Sequence, residues 1–596
     1  MSQLSSAELV YLPLTTISMV TVLYLISIVL IPVVPDTHSH VKNSKLFDTS
    51  IFLLITIAAV VGRSASTGIN DWYYLLLIGT STVLAFRIYL LPTNTPIHLI
   101  QILFLAIVAR AVPWFSYPFY GQDRFHQTAV GHIIRNGTIV PETITYYADF
   151  PTAHVFVATF SNITGVELKV GYFSLGIVVS LSLLGVYLLA RSVLIDKRSA
   201  LISTLFVAVA GYHVKAGAEP FAQALFTALT PLIFYYIFHQ YRDRRQLSVL
   251  MLLVVFASTI QNIVPIFLLG IFAVVVGSRW LLNYVPIIQQ SNIVQTKHTV
   301  PPTVFALAGI SGVYYYIIAD YLRFQTMRVV WLVEPLFGTS APEGQSVIED
   351  TGIVGTPTVE LFGYALPDVL MWAAPILTVS GILVLGGYLI MDRIILGNSE
   401  IKPLHYILIA AIAYGIFALA FISGGPATRA LPSIIVLIAP VIGWVIFEFD
   451  RTHHTVGKGM VVIIILCVVT AGVLTPPVAK SQLSEDNFRA WMTTEETSTV
   501  EFSMNYMDEV HTNSYFAGYE SYLLGIEGSV GDQTVKETLN KDDPESIQNY
   551  RMLSQNGTAV IHSPYFRSVY GVEAPNTNCV YTAGATNIYI GSDNLS

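Results

Sequence analysis

Apolar residues in this chain come in long unbroken blocks, without the period-two alternation of a half-buried strand. Each block of roughly 18–25 residues ends in a short polar or basic connector, the pattern of helices that cross a lipid hydrocarbon core. The blocks predict spans near 10–34, 47–62, 72–92, 95–113, 169–190, 199–216, 221–239, 246–260, 263–283, 301–319, 367–391, 403–423, 430–447 and 458–476. That makes about fourteen helices, of which 47–62 and 246–260 are the shortest for the task. The first block lacks a basic leader and a small-residue cleavage site, so it reads as a retained anchor. Continuous runs exclude an outer-membrane barrel, whose strands alternate.

Composition narrows the class further. Apolar residues make up 54% of the chain and charged residues 11%, against about a quarter charged in a soluble protein. A soluble enzyme, a fibrous protein and a disordered chain are excluded. The two cysteines, Cys467 and Cys579, support neither a disulfide framework nor a cysteine metal site. Charge then tests the topology. Lys42/Lys45, Arg191/Lys197/Arg198, Arg242/Arg244/Arg245, Arg279/Lys297, Arg393/Lys402 and Arg451/Lys458 all fall in loops on one side. The positive-inside rule makes that side cytoplasmic and the chain a multi-pass protein of the cell membrane. A miscounted helix would scramble this segregation.

Three segments on the opposite side exceed a connector: 114–168, 320–366 and everything after 476. Loops of such length usually carry function. The tail, 477–596, holds 16 acidic and 6 basic residues. Within it Ser484-Glu485-Asp486 reads as a helix start and Asp543-Pro544-Glu545-Ser546 as another. Thr558–His562, Cys579–Tyr581 and Asn587–Ile590 read as strands. The expected organisation is therefore an α-helical polytopic domain, 1–476, with catalytic outer loops at 114–168 and 320–366, followed by a small extracytoplasmic α/β domain, 477–596.

The first outer loop is the stretch richest in chemistry. It contains Gly121-Gln122-Asp123-Arg124-Phe125-His126, then His132, Arg135-Asn136-Gly137, Tyr146-Tyr147-Ala148-Asp149-Phe150-Pro151 and His154. The apolar positions from Phe156 to Ile163 stop at Thr164-Gly165, too short to span, and predict an amphipathic helix along the outer surface. Asp123 and His126, three apart, share a face if the segment is helical. Such a pair acts as general base and orienting partner, ligates a divalent metal, or is a solvated loop charge; the spacing alone leaves all three open.

These motifs resemble the polytopic GT-C glycosyltransferases. The likeness lies in Gly121-x-Asp123-x-x-His126, Ile133-x-x-x-Gly137, Phe150-Pro151-x-x-His154 and the short helix ending Thr164-Gly165. It continues through Glu219-Pro220, Leu229-Thr230-Pro231-Leu232, Gly425-Pro426-Ala427-Thr428-Arg429-Ala430-Leu431 and the closing Val580-Tyr581…Gly584…Ile588-Tyr589, from about residue 95 to the end. The resemblance implies a GT-C-like fold and sugar transfer from a polyprenyl (dolichyl) phosphate donor at the outer face. It implies Asp123 as catalytic base with His126 and Asp149 beside it, and Asp123 as the ligand of a divalent Mg or Mn if one is used. The leaving lipid phosphate needs cations, and Arg429 is the leading candidate because its fork matches phosphate oxygens. Lys215, Arg323 and Arg328 fall on the same side, and His154 and Glu219 are expected at the substrate. Several lipid-donor transferases carry two adjacent acids where this chain has Gln122-Asp123, which brings Asp149 and Glu219 into consideration as the base. The Trp-Trp-Asp signature of oligosaccharyltransferase catalytic subunits is absent, which favours a single sugar over a whole glycan.

The expected partners are the lipid-linked donor, a glycan or glycoprotein acceptor and membrane lipids, with no nucleic acid. An archaeal mannosyltransferase of surface glycoprotein assembly is the subtype implied. Transport or flipping of lipid-linked sugars is the alternative; it calls for ionisable groups deep within several spans. A sensor or scaffold that displays the tail is a third reading. No Walker loop, nucleophile elbow or His-Glu-x-x-His helix occurs. Asn136-Gly137-Thr138, Asn162-Ile163-Thr164 and Asn556-Gly557-Thr558 match the glycosylation sequon.

Overall fold

The computed structural model describes residues 41–64, 72–91, 94–116, 119–120, 150–194, 196–218, 222–238, 244–260, 359–361, 364–366, 426–452, 491–492, 494–507, 510–513, 535–539, 559–562, 578–583 and 586–590, with isolated positions that include His126 and 129–131. The expected spans at 10–34, 263–283, 301–319, 367–391, 403–423 and 458–476 fall wholly or almost wholly outside the described residues.

The described membrane part is helical. Its elements are α1 (Val41–Gly62), α2 (Trp72–Leu90), α3 (Thr95–Ser116), α4 (Thr152–Thr164), α5 (Leu168–Leu181), α6 (Leu183–Val193), α7 (Lys197–Val209), α8 (Gly211–Ala218), α9 (Gln223–Phe238), α10 (Arg244–Ser258) and α11 (Pro426–Thr452). Among the described residues four stretches are long and apolar enough to cross a membrane: α2, α3, α5 with α6 as one rod, and residues 431–449 of α11. This is a multi-span membrane protein. At about 1.5 Å per residue the 22 residues of α3 run about 33 Å, the thickness of a hydrocarbon core.

The span expected at 199–216 is not one straight helix. It bends by 56° between α7 and α8, where Ala210 adopts an extended ψ of 118°. Helices α9 and α10 have only 16 and 15 residues. Local signals explain several ends. Asp196 caps α7 by accepting from the Ser199 amide and hydroxyl, both at 3.0 Å. Pro426 opens α11, where its missing N–H costs nothing. Gly165 ends α4 in the left-handed region, φ +67°, with its amide on the Ser161 carbonyl.

Inside lipid, burying apolar surface gives no gain over lipid contact, so helices associate through close packing at small residues. Gly443 of α11 meets Ser199 and Ser203 of α7 so closely that an added Cβ would lie 2.2 Å from the Ser199 carbonyl. Charged groups gather at one end of the bundle. Arg87 of α2 pairs with Asp48 of α1 at 3.1 Å, and Gln101 of α3 donates to the Asp48 carbonyl at 2.9 Å. His98 donates from Nδ1 to the Gln101 side-chain oxygen at 2.9 Å. Arg198 of α7 donates to the Tyr89 carbonyl at 3.3 Å, and Tyr89 packs edge-on against Phe447 of α11. These helix ends are the ones that the charge pattern assigns to a single side.

The described part of 477–596 contains a helix and a sheet. Strands β5 (Val510–Asn513), β6 (Val535–Leu539), β7 (Ala559–His562), β8 (Asn578–Ala583) and β9 (Thr586–Ile590) form a five-stranded sheet in the order β6-β5-β7-β9-β8. β5 runs parallel to β6 and β7, whereas β9 runs antiparallel to β7 and β8. Helix α12 (Thr494–Tyr506) lies against the sheet, with Phe502 stacked on Tyr581 at 3.9 Å between ring centroids. Strands β7, β8 and β9 coincide with the three expected there, while the expected helix starts at 484 and 543 lie outside the described residues. A short ladder joins this region to the first outer loop: β1 (Phe119–Tyr120) pairs antiparallel with β4 (Trp491–Met492). Strands β2 (Val359–Leu361) and β3 (Tyr364–Leu366) form a separate two-stranded ribbon at the end of the second long loop.

Candidate functional site

The two histidine motifs of the first outer loop meet in space. His126, from Gly-x-Asp-x-x-His, and His154, from Phe-Pro-x-x-His, are 28 residues apart in sequence, with Nδ1 of the first 2.6 Å from Nε2 of the second. Both rings are buried, at 1% and 2% exposure. One nitrogen must donate and the other accept, so at least one ring of the pair is neutral. The backbone carbonyl of His126 accepts from the Tyr172 hydroxyl of α5. Trp114, near the end of α3, donates through Nε1 to the Lys169 carbonyl at 2.9 Å and packs its ring toward Tyr172. Thr152, at the start of α4, hydrogen-bonds Thr259 at 2.8 Å. Four helices, α3, α4, α5 and the end of α10, thus converge beneath the loop.

Helix α4 is the element expected from Phe156 to Ile163, and it begins four residues earlier. Its inner face buries Ala153, His154, Val157, Ala158 and Ser161, while Val155 and Ile163 are exposed. A 13-residue helix whose exposed face mixes Val155 and Ile163 with Thr159, Asn162 and Thr164 fits a surface-lying element better than a spanning one.

Other expected site residues divide by location. Asp123, Asp149, Glu219, Arg323 and Arg328 lie outside the described residues. Arg429 is in the first turn of α11, at its fourth residue. Lys215 is half-exposed on α8. Among the described residues no three His, Cys, Asp or Glu side chains converge as a metal cluster. The His126–His154 pair offers imidazoles already bonded to one another, whereas Mg and Mn prefer oxygen ligands. Any such ion would therefore depend on Asp123.

A second polar centre was not anticipated. Arg110 of α3 is fully buried, and its guanidinium reaches into the break between α7 and α8. Nη1 donates to the Ala106 carbonyl at 2.7 Å and the Ala208 carbonyl at 3.3 Å. Nη2 donates to His213 Nδ1 at 2.7 Å and to the His213 carbonyl at 3.3 Å. Arginine has no acceptor, so His213 accepts at Nδ1 and, as a neutral ring, carries its proton on Nε2. The sequence signal was available: an ionisable residue inside an apolar span is uncommon enough to mark a site. Arg110 and His213 stood in different spans, 103 residues apart, and nothing in the spacing paired them.

No family model matches the sequence, and no curated protein does. Among solved structures the chain is similar to an oligosaccharyltransferase from Archaeoglobus fulgidus, crystallised with a tethered acceptor peptide containing an NVT sequon. That similarity has 12% identity and a TM-score of 0.45, over 84% of this chain and 71% of the other. The chain is also similar to ArnT from Cupriavidus metallidurans bound to undecaprenyl phosphate, at 10% identity and a TM-score of 0.42, over 83% of this chain and 98% of the other. At these values neither likeness assigns a family, and the residue placements above are independent of both.

Proposed function

We propose that this protein is a membrane glycosyltransferase that moves a single hexose, mannose in the favoured case, from a dolichyl- or polyprenyl-phosphate donor to a lipid-linked or protein-bound glycan on the outer face. The observation that supports this reading most is the His126–His154 contact at 2.6 Å. It draws together two motifs whose joint presence carries the resemblance to the GT-C enzymes, and it does so over helices that end at the loop. Asp123, three residues before His126, is the base that removes the acceptor hydroxyl proton as the anomeric bond to phosphate breaks. His126 orients that end of the loop, and Asp149 and His154 belong to the same site. Glu219 contacts substrate in this reading. If the reaction uses Mg or Mn, Asp123 holds it.

The donor phosphate is assigned to Arg429, with Lys215, Arg323 and Arg328 assisting. A cation in the first turn of a helix opposes the macrodipole by about 0.3–1 kcal/mol. Arg429 occupies that unfavourable position in α11, and an anionic ligand there would reverse the sign. The whole of 477–596 is taken as an extracytoplasmic domain that lies with the first loop through β1 and β4.

Buried ionisable groups within spans favour the second reading, transport of a lipid-linked sugar. Their partners weigh against it. Asp48 and Arg87 neutralise each other, and Arg110 is held by carbonyls and an imidazole. The Asp48–Arg87 pair is closed, unlike groups that line a path, and Arg110 has both terminal nitrogens held, although its Nε and His213 Nε2 are buried without a hydrogen-bond partner among the described residues.

The two readings separate in proteoliposomes carrying the purified full chain, radiolabelled dolichyl-phosphate mannose or glucose, and membrane extract as acceptor. Transfer of label to a glycan, with a raised donor KM in Arg429→Ala, is the expected result. Movement of the lipid between leaflets without any transfer would replace the proposal with the transport reading.

A further inference from the structure

Arg110 presents a physical problem whose solution says what it does. A guanidinium buried in a span has a large desolvation cost and ordinarily takes a carboxylate partner. Among the described residues no carboxylate pairs with it, in contrast to Arg87, which has Asp48. Its charge instead faces the last carbonyls of α7, the negative end of that helix. The break makes those carbonyls available. In a straight helix the Ala208 carbonyl would accept from the amide four residues on. With Ala210 extended, the His213 amide turns to the Ala210 carbonyl at 2.9 Å, while Val214 keeps its regular bond to that carbonyl at 2.8 Å, and the Ala208 carbonyl receives Arg110 Nη1. Nη2 donates to the ring and carbonyl of His213 on the other side of the break. One planar fork thus joins the end of α7 to the start of α8.

The surroundings fit this role. A Cβ on Gly217 would lie 2.7 Å from both Cδ and Nε of Arg110, and a Cβ on Gly176 of α5 would lie 2.4 Å from the Gly217 carbonyl. Helix α8 is therefore seated directly on the Arg110 stem on one side and on α5 on the other. Helices α3 and α5 are the ones whose outer ends hold the His126 loop through Trp114 and Tyr172. Lys215, two residues beyond His213, is carried by the short helix that this fork sets in place.

We propose that Arg110 is a positioning residue: it fixes the 56° bend between α7 and α8 and so places Lys215 at the donor phosphate. The bend does not depend on the enzymatic reading; the effect on donor binding rests on it. Arg110→Met keeps much of the stem and removes every donor. Arg110→Lys keeps the charge, but a single ammonium cannot span the Ala208 carbonyl and the His213 ring as a fork does.

Hydrogen exchange of the full chain in lipid nanodiscs, read by mass spectrometry, tests the bend. In Arg110→Met, amides of 211–218 exchange faster by about tenfold or more while those of 223–238 keep their rate. Arg110→Lys falls between that variant and the wild type. Transfer kinetics test the placement: Arg110→Met and Lys215→Ala each raise donor KM by about tenfold with kcat little changed, and the double variant rises no further. Unchanged exchange over 211–218 in a folded Arg110→Met protein overturns the latch, and multiplied KM effects in the double variant overturn the link to Lys215. If Arg110→Met does not fold, Arg110→Gln, which keeps an amide donor for one carbonyl, is measured in the same two ways. Wild-type protein that transfers no sugar from any lipid donor fails the enzymatic reading, and exchange alone then decides the role of Arg110.

Discussion

Among the described residues two buried arginines are held in different ways, and the difference decides what each substitution costs. Arg87 has a carboxylate partner, at side-chain exposures of 2% and 7% for the two residues. Removing Asp48 strands a buried charge, so Asp48→Ala is expected to destabilise by about 3–5 kcal/mol, whereas Asp48→Leu combined with Arg87→Leu costs far less. Thermal unfolding in detergent of the wild type and these two variants checks this; a double variant no more stable than Asp48→Ala would contradict it. Arg110 has only neutral acceptors, so no single partner deletion strands it. His213→Ala is therefore expected to cost about 1–3 kcal/mol, less than Asp48→Ala, because the Ala106 and Ala208 bonds survive. At this scale the sequence was partly legible. His126 and His154 stood out by motif, and both lie at the meeting point beneath the loop. The Asp48–Arg87 pair did not stand out, because Asp48 falls at the very start of the expected span 47–62, close to Lys45 and 39 residues from its partner.

Helices were legible where hydropathy alone defines them and less so where geometry intervenes. The blocks at 72–92, 95–113 and 430–447 match α2, α3 and α11 to within a few residues, because lipid exposure requires continuous apolar sequence. Hydropathy is equally continuous across 199–216, so the bend at Ala210 left no trace in it. Gly211 was the one local hint. Helix α4 was legible from its end, since Thr164-Gly165 supplies the left-handed stop. Its start at Thr152 follows from Phe150-Pro151, because a proline favours the first turn.

Close crossings give the sharpest prediction for an element. A side chain at Gly443 would drive α11 away from the Ser199 carbonyl, so Gly443→Val is expected to cost about 1–3 kcal/mol through overpacking. Gly79 has no atom near a would-be Cβ, and Gly79→Ala is expected to be neutral or slightly stabilising, by up to about 1 kcal/mol, from helix propensity. Melting temperatures of the two variants side by side check the contrast; equal losses would show that the α7–α11 contact is looser than drawn. In the tail, Phe502→Ala removes the ring stacked on Tyr581. It should expose α12 to limited proteolysis while leaving cleavage in the membrane helices unchanged.

At the scale of the whole molecule, the scarce charge is sorted into places. Basic residues mark one end of the helices, and the ends of α1, α2, α3, α7 and α11 that the charge pattern puts together are together in the fold, held by Asp48–Arg87, Arg198 and Tyr89–Phe447. At the opposite end, α3, α4, α5 and the end of α10 converge under the first long loop. Sequence could define both ends because lipid imposes them. It could not bring residue 126 to residue 154, or Phe119–Tyr120 to Trp491–Met492, since those contacts depend on how several spans pack. The outcome is a loop fixed by histidines and a ladder at the end of the helix bundle opposite the basic one, with Asp123 three residues from one of those histidines.

The most direct test is the initial rate of hexose transfer from dolichyl phosphate by Asp123→Asn, in protein with the melting temperature of the wild type. Loss of the general base is expected to lower kcat by about 10²–10⁴-fold with donor KM little changed. A rate within about twofold of wild type, well short of that loss, would place the chemistry elsewhere and contradict the account.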